Sequence, residues 1–363
     1  MFRSLIIYLQ LFSAMWPRHT DTLNMLFLGD IMQHHAQLSS AYTVKEGIDS
    51  SNSYDYSSYF KYLEDYFAQA HIVAANMETT FAPAPYSGYP SFCSPASLAR
   101  EALSAGINLF FAANNHSVDK GSRGIEGSIA IYKQMGALYT GIYSNDQEEA
   151  AQHPLIIEKK GIKLAILNYT YGTNGIKVPA PYVVKLLDSN IVKEDLRKAV
   201  QAEPHCIIVS VHWGDEYKIS NSANQKKWEN LFYKYGANLI IGSHPHVPQS
   251  VASYRDSTGV IKAITAYSLG NAISNMSAQN TRIGIMLEIK LIKENYTGKI
   301  WFDQPNIHYI WTSRPQATGG YYTIVPIKDF LENPANYNVK GEKALMERYY
   351  KKFYLKTYNV YDK

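Results

Sequence analysis

The chain has 363 residues, of which 46% are hydrophobic and 18% charged, with a formal net charge of +4 and two cysteines. This composition supplies ample buried core and excludes a disulfide-stapled scaffold. The 35 lysines and arginines are scattered along the chain, which excludes the basic stripe of a nucleic-acid-binding protein.

In chain order, Arg3 precedes an apolar run over 5–12, long enough for a signal-peptide core and too short to span a bilayer. Residues 1–20 therefore read as a signal or leader segment, with an exported or cell-envelope location as the expectation. No small-x-small cleavage site follows the run, no cysteine for a lipid anchor follows it, and no later segment is apolar enough to cross a membrane.

From residue 25 a pattern recurs: a short apolar run ends in polar residues and a helical stretch follows. The run 25–28 leads to Gly29-Asp30, and 71–75 leads to Asn76-Met77-Glu78. The run 107–112 leads to Asn114-Asn115-His116, 206–211 to His212-Trp213-Gly214-Asp215-Glu216, and 238–241 to Gly242-Ser243-His244-Pro245-His246. Apolar spacing predicts helices over 54–70, 97–104, 124–135, 191–202 and 223–235. Two stretches read as hairpins, 155–158 with 162–167 and 282–292 with 299–302. Parallel and antiparallel strands therefore mix in an α/β fold, built as two packed sheets or as one. After residue 313 the character changes, and a basic, tyrosine-rich helix is expected over 341–358. The expected organisation is one domain over 25–312 and a C-terminal extension over 313–363 packed on its core.

Functional groups in α/β sheets collect beyond the carboxyl ends of the strands. Here five apolar runs end in a carboxylate, an Asn-His pair or a histidine, and that coincidence carries more weight than any one residue. Gly242–His246 is the most specific, since two histidines flanking one proline present both rings on the same side of a tight extended turn. Carboxylate, amide and imidazole donors without a thiolate suit Mn²⁺, Fe²⁺ or Zn²⁺ in a catalytic rather than a structural site. One or two such ions are expected. His116 is the candidate general acid, with Asn115 beside it free to reach the metal. Glu78 is expected to point inward, as a ligand or as a support for a ligand histidine. The loop 168–175, with Tyr171 and Asn174, is expected to border the same cleft, because small residues and amides allow close backbone approach. Asn114, Glu216 and Asn271 complete the expected substrate contacts.

The ordered motifs Gly29-Asp30, Asn76-Met77-Glu78, Asn114 to Gly121, Asn168 to Gly175, His212 to Tyr217, Gly242 to His246 and Tyr267 to Asn271 resemble those of the bacterial capsule-synthesis family (CapA/PgsA-like, poly-γ-glutamate) over roughly 25–312. That family is similar in turn to calcineurin-like metallophosphoesterases. The resemblance implies a four-layer α-β-β-α sandwich and a dinuclear site. It implies Asp30, Asn115, His212, His244 and His246 as ligands, and His116 as the acid. Two departures stand out. Met32 replaces the histidine expected two residues after Asp30, with His34 and His35 as the nearest substitutes. Asn76 and Glu78 occupy the block that normally offers a bridging aspartate. The implied activity is metal-dependent hydrolysis of a phosphoester, with an envelope or capsule polymer or its precursor as partner. A non-catalytic accessory role in polymer synthesis or export, and hydrolysis of a γ-glutamyl amide, are the alternatives.

Overall fold

The structure is a computed structural model, and it describes residues 19–43, 51–354 and 357–362. The expected leader segment lies almost wholly outside the described residues. No helix among the described residues is long and apolar enough to cross a membrane.

Two sets of parallel strands form the frame. In the first, Leu138–Thr140, Leu109–Phe111, Ile72–Met77 and Thr20–Ile31 lie side by side. In the second, Ile162–Thr170, Cys206–His212, Leu239–Ser243 and Ile261–Ala266 do the same. Both hairpins form as expected, Leu155–Lys159 with Ile162–Thr170 and Ile283–Glu294 with Ile300–Phe302. The short strand Ile300–Phe302 also pairs with Ile261–Ala266, so the two sets join into one continuous sheet folded on itself.

Period-two alternation sorts each strand between layers. Leu23, Met25 and Phe27 meet Ile162, Leu164, Ile166, Cys206 and Ile208 in one core between the two halves. Leu26 and Leu28 face the other way, onto Leu98, Ile125 and Ile129 of the helices Ala96–Ala105 and Gly121–Met135. Leu167, Val209 and Val211 face Leu196 and Phe232 of the helices Ser189–Gln201 and Ala223–Lys234. Helix, sheet, sheet, helix is thus the layer order: the fold is a four-layer α-β-β-α sandwich. Local sequence sets the helix starts. Asp188 accepts from Asn190 N and Ile191 N, and Ser222 forms a capping box with Gln225.

Two helix expectations change. Over 54–70 only Glu64–Ala68 is regular α-helix, because Tyr59 N bonds Tyr56 O and Leu63 N bonds Phe60 O in tight turns. Packing of the rings decides this: Tyr56, Tyr59, Phe60, Leu63 and Phe67 are all buried. The last helix spans Lys343–Tyr354, and Tyr358–Asp362 forms a strand parallel to Val251–Arg255. Phe330, Met346 and Phe353 from this region close the edge of the inter-sheet core.

Candidate metal centre

The seven motifs converge beyond the carboxyl ends of the parallel strands from both halves. Asp30 ends Thr20–Ile31, Glu78 follows Ile72–Met77, and Asn114–His116 follow Leu109–Phe111. Tyr171 follows Ile162–Thr170, His212 ends Cys206–His212, and His244 and His246 follow Leu239–Ser243. Close backbone approach is what brings them together. A Cβ on Gly29 would lie 1.8 Å from Gly270 O, and one on Gly242 would lie 2.1 Å from Tyr267 O. Glycine alone permits this contact. The expected extended turn at the two histidines is not extended: His244 has φ +97° and His246 φ +57°. Holding two non-glycine residues there costs energy that surrounding bonds must offset. His246 Nδ1 lies 3.1 Å from Asp30 Oδ2 and 2.9 Å from Asn271 Oδ1.

Asn76 Nδ2 donates to Asp30 Oδ1 at 2.7 Å and reaches Glu78 Oε2 at 3.3 Å, holding two buried carboxylates side by side. Glu78 points inward. Its Oε1 is buried and has no hydrogen-bond partner among the described residues. That oxygen lies 3.7 Å from His212 Nε2, 3.8 Å from His246 Nε2 and 4.0 Å from His116 Nε2. His244 Nδ1 is likewise buried without a partner. Burial, with Asp30 and Glu216 nearby, pushes the Glu78 carboxyl well above the usual carboxylate range. Burial and the neighbouring imidazoles push His212 well down, and His244 down to about 3. Neutral imidazoles and crowded carboxylates are the donor states a divalent cation requires. Each orphaned atom belongs to a cluster of donors that fits a metal: Glu78 with Asp30 and His212, and His244 with Glu216 and His246.

Supports orient these donors. His212 Nδ1 lies 2.9 Å from Ser243 Oγ, turning Nε2 toward Glu78 and Asn115. Asn115 Oδ1 is 2.9 Å from that Nε2, while its Nδ2 donates to Asn174 Oδ1 at 3.2 Å. The half-exposed Tyr171 ring covers His244 at a centroid distance of 4.6 Å. Asn114 and Asn271 lie one layer beneath the cleft. Asn114 is fully buried and bonds Asn76, Met77 O and His116 N, and Asn271 holds the His246 ring. Glu216 is exposed at the rim of a cavity of about 350 Å³ that His116 and His246 also line.

Asp119, to which sequence reasoning gave no role, holds His116. Its Oδ2 lies 2.7 Å from His116 Nδ1 and also accepts from Phe92 N at 2.6 Å. The signal was in the motif, three residues after the histidine. Ser243 had none, since its contact is purely tertiary. Met32 is buried in the cavity wall. His34 lines the same cavity, with Nδ1 receiving Asn275 N at 3.3 Å and its pKa pushed down by burial to about 4; His35 is exposed.

Two other features lack this chemistry. A hollow of about 530 Å³ beside Phe81, Arg123 and Ile131 holds none of the candidate donors. Glu149, His153 and Asp195 also converge, but the Lys185 ammonium already bridges Glu149 at 2.7 Å and Asp195 at 2.8 Å.

The fold and the donor set define a protein of metallophosphoesterase-like architecture. Residues 24–276 match the family described as bacterial capsule synthesis protein PGA_cap, and the chain belongs to that family. Among similar proteins, the capsule biosynthesis protein CapA of Bacillus anthracis is 23% identical over 285 residues, covering 76% of this chain and 65% of the relative, just under two thirds of its length. The PGA biosynthesis protein CapA of Bacillus subtilis is 24% identical over 325 residues, covering 84% and 79%. Among solved structures, a novel phosphatase from Mycoplasma pneumoniae has a TM-score of 0.45 at 15% identity, covering 82% of this chain and 96% of that one. The NAD nucleotidase of Haemophilus influenzae has a TM-score of 0.47 at 11% identity, covering 94% and 57%.

Proposed function

We propose that the protein is a metal-dependent hydrolase of phosphoester-type bonds acting in capsule or envelope polymer metabolism, at or outside the cytoplasmic membrane. The observation that carries the hydrolytic reading is the orphaned Glu78 Oε1, encircled by three imidazole Nε2 atoms within 4.0 Å. Asp30, Glu78, Asn115, His212, His244 and His246 would hold one or two divalent ions. Such an ion would supply Lewis acidity, acidifying a water and polarising the scissile group.

The remaining chemistry falls to the chain's own side chains. Asp119 fixes His116 Nδ1, so His116 Nε2 faces the cleft and is placed to hand a proton to the leaving oxygen. Phe92 stands edge-on to the His116 ring at 4.6 Å and limits its rotation. Tyr171 screens His244 from solvent on the open side. The polymer context is supported by family membership and by the names of the relatives.

The test is His116→Asn. Metal content and melting temperature stay near wild type, while turnover of an unactivated phosphoester falls roughly 10²- to 10⁴-fold. An activated ester loses less, because its leaving group needs less protonation. Unchanged turnover on the unactivated ester removes His116 from the chemistry. Absence of turnover in wild type with bound metal, together with normal polymer assembly by the variant in cells, favours the accessory role.

A further inference from the structure

The basic C-terminal helix plays no part in the metal centre, yet it stands beside the cleft. On Lys343–Tyr354, Met346 and Phe353 are buried in the core while Arg348 and Lys352 share another face one turn apart. Like charges at that spacing oppose helix formation, a cost that a bound anion would offset.

Two hollows meet at Lys352. One, of about 230 Å³, also runs along Ile219, Asn221 and Ser250; the other, of about 260 Å³, along Gln279 and Arg348. Among the described residues no carboxylate lines either hollow. Both continue chain segments of the metal cleft, since Tyr217 and Ala278 line the cleft and Ile219 and Gln279 follow in sequence. Lys352 Nζ donates to Asn280 Oδ1 at 2.6 Å, which ties the helix to the cleft loop. The cleft has the opposite character: Glu216 lines it and no lysine or arginine does. A catalytic hollow lined by no lysine or arginine beside a carboxylate-free cationic shelf suits a chain that is anchored by its charge at one place and processed at another.

We infer that Arg348, Lys352 and the neighbouring amides form a docking shelf for a polycarboxylate chain, which they feed past the 277–280 loop into the cleft. This rests on the polymer-directed part of the function proposed above and not on hydrolysis. A polycarboxylate fits the shelf by charge, since Arg348 and Lys352 supply two cations and, among the described residues, no carboxylate lines either hollow.

The experiment measures binding of the full chain to fluorescein-labelled poly-γ-glutamate by anisotropy, with labelled dextran and a single-stranded DNA oligomer as comparison probes. Wild type binds the polycarboxylate, loses affinity as salt rises, and ignores dextran. The double variant Arg348→Gln/Lys352→Gln binds it about tenfold more weakly, as expected for losing two charge contacts. Its melting temperature and metal-induced stabilisation stay at wild-type values. Arg348→Glu/Lys352→Glu weakens binding further. Failure of wild type to bind the polycarboxylate, or equal affinity in wild type and the glutamine variant, overturns the shelf. Equally tight DNA binding with the same loss in the variants overturns its selectivity. Because binding is read without turnover, a protein with no hydrolytic activity that still binds through these residues refutes only the hydrolase reading.

Discussion

Replacing Glu78 by glutamine should move the metal-free and metal-bound proteins in opposite directions. Donor oxygens of Asp30 and Glu78 lie within 4.8 Å of each other, and both side chains are fully buried. Two full charges at that separation repel by about 3.5 kcal/mol at an effective dielectric near 20. Protonation of Glu78, whose carboxyl is pushed up mainly by burial, relieves part of that penalty in the metal-free protein. The net burden is then about 1–3 kcal/mol. Glu78→Gln keeps the oxygen that accepts from Asn76 and removes the charge, so the metal-free protein should melt about 1–4 °C higher. With metal the sign reverses. Wild type at roughly 100-fold excess of ion over its dissociation constant gains about 2.7 kcal/mol. The variant loses a central anionic donor and should gain less than a third of that. Differential scanning fluorimetry after chelation, repeated with Mn²⁺ and Zn²⁺ titrations, reads both numbers. A variant that melts lower without metal, yet keeps the full metal-induced rise, would refute the assignment of Glu78 to the centre.

Asp119→Asn tests the orientation of His116: turnover of an unactivated ester should fall about 10-fold or more, with metal content unchanged, and less than for His116→Asn; equal turnover in Asp119→Asn and wild type would deny Asp119 that task. The Lys185 network predicts a pH effect away from the centre. Burial raises the Asp195 carboxyl, but hydrogen bonds from His153 and Lys185 outweigh it and hold the group down at about 2, while burial pushes His153 below its ordinary 6.5. Both folded-state values lie below the unfolded ones, so the unfolded chain takes up protons first and stability falls as pH drops, from about 6.5 for His153 and from about 4 for Asp195. Asp195→Asn should flatten the lower part of that fall in urea unfolding curves, and should cost about 1.5–3 kcal/mol at neutral pH, since Lys185 keeps its bridge to Glu149; an unchanged acid limb would count against this origin.

Much of the fold and the strand-end placement of the candidate donors were legible in the sequence, for a local reason. Each parallel strand is a short apolar run, and its polar ending is written immediately after it, as in Leu28-Gly29-Asp30 or Ile241-Gly242-Ser243-His244. A strand end is also where the sheet places its functional groups, so adjacency in sequence carried adjacency in space. The choice between one sheet and two was not local. It depends on Phe302 pairing with Ile261 and on which alternate face of each strand meets the other half. The turns over 57–63 also escaped, because the burial of Tyr56, Tyr59 and Phe60 overrides helical spacing there. Within the site, the sequence by itself determined the donor types and their strand-end positions. Only the tertiary structure decided which ring nitrogen of His212 and His246 faces the centre, through Ser243 behind His212 and Asn271 behind His246, whereas Asp119 behind His116 is a contact within one turn. An imidazole has two nitrogens, and which one is free is set by the partner that takes the other; for His212 and His246 that partner sits on a different strand.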